Sequence, residues 1–136
     1  MRVFLDSNIL FSAALGSEPF VLLWEIALAG KIQLLTTAYC FTEAVDNLTH
    51  KRPAALQRYA ELREAVSEVR DDQAKLAWAR KLVPDQDAPV LAAAVAAGAY
   101  VLVTGDLRHF GPLMERRALP IRVRTLRAFL IEGARK

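Results

Sequence analysis

Two aspartates in this 136-residue chain stand at the ends of apolar runs: Asp6 closes Val3-Phe4-Leu5, and Asp106 follows Val101-Leu102-Val103-Thr104-Gly105. Such a run stopping on a carboxylate reads as a buried parallel strand that delivers the charge at its C-terminal end. That is where ligands gather in α/β proteins. Two aspartates delivered there from distant parts of the sequence can share one site. A shared carboxylate site attracts a hard divalent cation, and with it phosphate chemistry.

Each carboxylate also has an ordinary structural reading. Asp6, like Ser7, can cap the helix that follows the first strand. Asp106 can close an Asx turn leading into Leu107–Phe110, with Gly105 allowing a tight turn or a close backbone approach. One of Asp85 and Asp87 in Pro84-Asp85-Gln86-Asp87-Ala88-Pro89 can cap the next helix, though two aspartates exceed what capping needs. A helix N-terminus would also hold Asp87 ionised. Glu43 shares the polar side of its helix with Asp46 and His50, where a solvated glutamate is the simplest account.

The set has an energetic meaning that the members lack singly. Two carboxylates about 5 Å apart repel by roughly 3 kcal/mol at an effective dielectric near 20. A divalent cation removes that penalty. An oxygen-only set points to Mg²⁺ or Mn²⁺, because no Cys/His cluster exists to favour Zn²⁺. His50 and His109 stand alone in sequence and are weak ligand candidates. The chain has no glycine-rich phosphate loop and no Gly-x-Ser-x-Gly elbow, which argues against nucleoside triphosphate binding and serine hydrolysis.

The elements that must position these groups follow from pattern. Arg2–Leu5 reads as a strand and Ser7–Leu15 as a helix. A second helix opens at Ser17-Glu18-Pro19 and closes at Gly30. Lys31–Thr36 is a second strand, and Thr37–Thr49 a helix with Phe41, Ala44, Val45 and Leu48 as its apolar stripe. Pro53–Val69 and Asp72–Leu82 read as amphipathic helices, and Asp87–Gly98 as a buried one. Tyr100–Thr104 and Ile121–Val123 are strands, and Thr125 caps a last helix to Gly133. Alternation of strands and helices implies α/β architecture, with a small, mostly parallel sheet of four or five strands and helices on both faces.

Length fits a single domain spanning 1–136. The formal net charge is +3, too mild to mark a strong DNA binder. Basic residues recur at Lys51-Arg52, Arg108-His109, Arg116-Arg117, Arg122-Arg124-Arg127 and Arg135-Lys136. A basic rim around an acidic centre suits a polyanion, and an ordinary solvated surface accounts for it equally well. The one cysteine, Cys40, reads as a buried thiol. No cysteine pair, leader or membrane span is evident, so a cytoplasmic location is expected.

Four stretches together resemble the PIN-domain family, of the kind found as VapC-like toxins of toxin–antitoxin pairs. They are Val3-Phe4-Leu5-Asp6-Ser7-Asn8-Ile9-Leu10, Thr42-Glu43-Ala44-Val45, Asp85-Gln86-Asp87-Ala88-Pro89-Val90-Leu91-Ala92-Ala93-Ala94 and Val101-Leu102-Val103-Thr104-Gly105-Asp106-Leu107-Arg108-His109-Phe110. The lead-in Ala38-Tyr39-Cys40-Phe41 departs from the family's pattern in being more apolar. The resemblance implies a three-layer α/β/α fold and a Mg²⁺- or Mn²⁺-dependent ribonuclease. Asp6, Glu43, Asp87 and Asp106 would be its metal-holding, catalytic carboxylates. Asn8 and Thr104 would orient ligands, and Arg108 would hold the RNA backbone. Water as nucleophile would leave 5′-phosphate and 3′-hydroxyl ends. A homodimer and a cognate antitoxin are the implied partners. The alternative is a non-catalytic RNA- or protein-binding module on the same fold. A haloacid-dehalogenase-like phosphatase ranks lower, because that chemistry needs Asp-x-Asp where this chain has Asp6-Ser7-Asn8.

Overall fold

A computed structural model describes residues 1–134. The basic pair Arg135-Lys136 lies outside the described residues. In chain order the elements are β1 (Arg2–Leu5), α1 (Ser7–Ala14), α2 (Glu18–Leu28), β2 (Gln33–Thr37) and α3 (Ala38–Lys51). A 3-10 turn (Pro53–Ala55) leads to α4 (Leu56–Arg63), β3 (Val66–Val69), α5 (Leu76–Arg80) and α6 (Ala88–Ala96). Then come β4 (Val101–Val103), α7 (Leu107–Phe110), a second 3-10 turn (Gly111–Leu113), β5 (Arg122–Arg124) and α8 (Leu126–Ala134).

The five strands form one sheet in the order β3-β2-β1-β4-β5, and every pairing is parallel. The sheet is thus wholly rather than mostly parallel. Val3, Phe4, Leu5, Val101, Leu102 and Val103 are all buried, as strands covered on both faces must be. Truncating a fully buried Phe such as Phe4 typically costs about 3–5 kcal/mol. Helices α1, α3 and α4 pack together, α6 lies against β2 and β4, and α2 packs on α8. The architecture is the three-layer α/β/α arrangement. Among the described residues no single helix is long and apolar enough to cross a membrane.

Strand order reverses at β1: its neighbours are β2 on one side and β4 on the other. In open α/β sheets the crevice beyond such a switch point is where ligands bind. Asp6 leaves β1 there, and Thr104, Gly105 and Asp106 leave β4 beside it.

Two expected helices differ. Pro53–Val69 is not one helix: α4 ends at Arg63, and Val66–Val69 pairs with β2 as the edge strand β3. Val66 and Val69 lie three apart, which imitates a helical stripe. As an edge strand, β3 leaves Ser67 and Glu68 exposed, and Glu68 lies 3.7 Å from Arg63. Asp72–Leu82 shortens to the single helical turn and a half of α5, after Asp72 has bonded the Lys75 N–H at 2.8 Å. A short polar side chain that captures a nearby backbone amide competes with helix continuation.

Candidate metal centre

Asp6, Asp87 and Asp106 each occupy the N-cap position of a helix: α1, α6 and α7. Three helix N-termini therefore point their free amides toward the same crevice, which favours negative charge there. Capping and ligand roles are compatible, because a carboxylate has two oxygens. Asp6 Oδ1 accepts from the Ser7 N–H at 2.8 Å, and Oδ2 accepts from the Thr104 hydroxyl at 2.8 Å. Asp106 Oδ1 caps α7 by accepting from the His109 N–H at 3.0 Å, leaving Oδ2 3.0 Å from His109 Nδ1. Asp87 makes no capping bond at all.

Asn8 and Thr104 stitch β1 to β4. Asn8 donates to Asp6 Oδ2 at 3.2 Å and accepts from the Gly105 N–H at 2.7 Å. A Cβ on Gly105 would sit 3.3 Å from Asn8 Oδ1, so the glycine serves this close approach. Thr104 is fully buried, and its hydroxyl also accepts from the Asp106 N–H at 3.1 Å. One hydroxyl thus sets both aspartates.

Glu43 reaches the crevice from α3. The buried face of α3 is Cys40, Phe41, Ala44 and Leu48, so Glu43 is turned toward α1 and the site. It accepts a hydrogen bond from the Ser7 hydroxyl and another from the Tyr39 hydroxyl at 3.0 Å. Asp46 is exposed on the same helix, and exposed His50 bonds the Asp46 carbonyl. Asp85 faces solvent, 3.9 Å from Arg80. Arg108 is exposed on α7 beside Asp106. Arg124, by contrast, is committed to Glu132 at 2.6 Å and to the Met114 carbonyl at 2.8 Å, so it is not part of a free basic rim.

His109 corrects the sequence reading. It lies between two of the carboxylates, with Nδ1 2.8 Å from Asp87 Oδ2 and 3.0 Å from Asp106 Oδ2. Asp87, Asp106 and His109 offer ligand atoms within 4.8 Å of one another. The available signal was its position three residues after Asp106 in a helical segment. Ser7 and Tyr39 were also not singled out, although Tyr39 precedes Glu43 by the four residues that place two side chains on one helix face.

The electrostatics show how near these groups are. Burial raises the Asp6 carboxyl above the ordinary aspartate range; hydrogen bonds from Thr104 and Ser7 oppose this, and the charges of Asp87 and Glu43 add to it. Asp87 is also raised, by burial first and by Asp106 and Glu43, against the pull of His109. Asp87 Oδ2 and His109 Nδ1 are buried and lie 2.8 Å apart. Crowded, mutually repelling carboxylates with an imidazole nitrogen among them fit a divalent cation.

A parallel sheet that carries converging carboxylates at its switch point defines an α/β protein with a candidate cation site. Residues 2–108 match the family model of the PIN domain, so the chain belongs to the PIN-domain family, whose members are typically nucleases. Its fold is similar to that in the crystal structure of VapBC2 from Rickettsia felis bound to a DNA fragment from their promoter. The TM-score is 0.63 over 90% of this chain and 97% of that one, at 15% identity, a likeness of fold. No curated protein matches the chain in sequence.

Proposed function

We propose that this protein is a metal-dependent endoribonuclease that hydrolyses RNA phosphodiester bonds, acting as the toxin of a toxin–antitoxin pair. The observation that carries the reading is the meeting of Asp6, Glu43, Asp87 and Asp106 around one crevice at the sheet's switch point, with His109 between Asp87 and Asp106. Family membership and the VapBC2-like fold support it.

In this reading Asp6, Glu43, Asp87 and Asp106 hold Mg²⁺ or Mn²⁺, with His109 as a further donor whose nitrogen suits Mn²⁺ better. When bound, the cation lowers the pKa of water and offsets charge on phosphoryl oxygens. Thr104, Asn8 and Ser7 hold Asp6 and Glu43 in fixed rotamers, the support that metal-holding carboxylates need. One of the four carboxylates would take the proton lost by the attacking water. Arg108 contacts the RNA backbone from the rim. The partners are RNA, an antitoxin and a second copy of the chain, and the setting is the cytoplasm, consistent with a single buried thiol.

The test is cleavage of a panel of RNAs by purified protein with Mn²⁺. Wild type yields 5′-phosphate and 3′-hydroxyl ends, and Asp6→Asn yields none. Equal cleavage by the two proteins would sink the assignment. A binding module without catalysis would show no tight Mn²⁺ site that Asp106→Asn abolishes.

A further inference from the structure

Tyr39 is the one exposed aromatic side chain among the described residues, at 46% exposure. It sits in the stretch Ala38-Tyr39-Cys40-Phe41, which is apolar where a polar lead-in would serve solubility better. The sites of Cys40 and Phe41 are explained, since both are buried against the core. Tyr39 is not: it is about half exposed and stands outside the buried core. What it does touch is the candidate site. Its hydroxyl donates to Glu43 Oε2 at 3.0 Å, and the charges of Glu43 and Asp87 both act on it. The ring is tethered by its hydroxyl to the acidic crevice, with about half of the residue's surface left to solvent. On the β4 side Leu107, next to Asp106, is 61% exposed.

A tethered, exposed aromatic beside a phosphate-directed site is suited to one ligand group, the face of an unpaired nucleobase. Stacking is tolerant of sequence, and bases within a duplex are not free to take part. We propose that Tyr39 is the stacking platform for a base flanking the scissile phosphate. This rests on the nuclease reading above. The hydroxyl keeps Glu43 in place, and the ring carries the base.

The experiment separates those two parts. Fluorescence anisotropy of a labelled short oligoadenylate is measured in Ca²⁺, which takes oxygen ligands but activates water poorly, for wild type, Tyr39→Phe and Tyr39→Leu. Circular dichroism confirms that each is folded. Loss of one stacked base weakens binding by about 5- to 150-fold. Tyr39→Leu should show that loss, and Tyr39→Phe should bind within about twofold of wild type. An oligonucleotide with abasic positions at its centre should bind wild type as weakly as the intact one binds Tyr39→Leu. The base-paired duplex should show no dependence on residue 39. Tyr39→Leu binding like wild type, or a duplex equally sensitive to the change, overturns stacking and leaves the nuclease reading standing. A wild type that neither binds nor cleaves RNA overturns both.

Discussion

Replacing Asp6 by Asn should raise the stability of the metal-free protein while removing its response to metal. Asp6 is 6% exposed and among the described residues has no cationic partner, only the repelling charges of Asp87 and Glu43. Asn is nearly isosteric and caps a helix as well as Asp, so the Ser7 N–H keeps an acceptor. The amide nitrogen can donate to the Thr104 oxygen, while the 3.2 Å contact from Asn8 is lost. Relief from one carboxylate at about 5 Å is worth roughly 3 kcal/mol at a dielectric near 20. Weakening two charge-assisted hydrogen bonds takes back about 2 kcal/mol, and desolvation relief adds to the gain. The net is about 1–3 kcal/mol in favour of the variant. At about 3–4 °C per kcal/mol for a chain of this length, the metal-free variant melts some 4–10 °C above wild type in chelator at pH 7.5.

Saturating Mn²⁺, at about a hundred times its Kd, stabilises wild type by roughly 2.7 kcal/mol, or about 9 °C, and should leave Asp6→Asn unmoved. The pH dependence has a definite sign. A carboxyl raised in the folded state takes up its proton there before it does in the unfolded chain. The penalty in wild type is therefore full above the folded pKa. It shrinks as pH falls through that value toward the ordinary aspartate range near 4. Melting curves without metal should converge between wild type and variant as pH is lowered across that window. A variant that melts below wild type in chelator, or equal Mn²⁺ shifts for both, would refute the idea that Asp6 is a strained ligand.

Thr104→Val should lower stability by about 1–3 kcal/mol, since it leaves Asp6 Oδ2 and the Asp106 N–H short of partners. Thr104→Ser should restore it, and urea denaturation reads both. Ser7→Ala removes the hydroxyl that holds Glu43. Calorimetry should show Mn²⁺ affinity falling about 10-fold or more, with the melting temperature nearly unchanged. Cys40 is buried, and burial raises its thiol to about 11. It should therefore resist a disulfide reagent at pH 8 in the folded protein and react fully in urea.

The strands that carry the site were legible because parallel strands buried on both faces need unbroken apolar runs. Arg2–Leu5 has the bounds read from sequence, and Val101–Val103 falls inside the expected run. Asp6 and Asp106 followed from those strand ends. The edge strand β3 was not legible: only one of its edges is paired, so its composition is mixed, and its two valines fall at helical spacing. Strand order was beyond reach because pattern reports which residues are buried and not which strand lies beside which. The choice between Asp85 and Asp87 depended on how far α6 extends, which fixes which aspartate turns inward. His109 was missed because its partnership with Asp87 spans a break in the chain, and only the shorter relation to Asp106 leaves a mark on spacing.

The pairing of β1 with β4 brings Val3 beside Val101, and this orders events at the ribosome. The first strand emerges early and finds β2 soon after, but its other edge stays open until nearly a hundred residues have been made. Contacts so distant in sequence form late and slowly. The crevice is incomplete until β4 docks, because Thr104 and Asp106 follow that strand and Thr104 bonds Asp6.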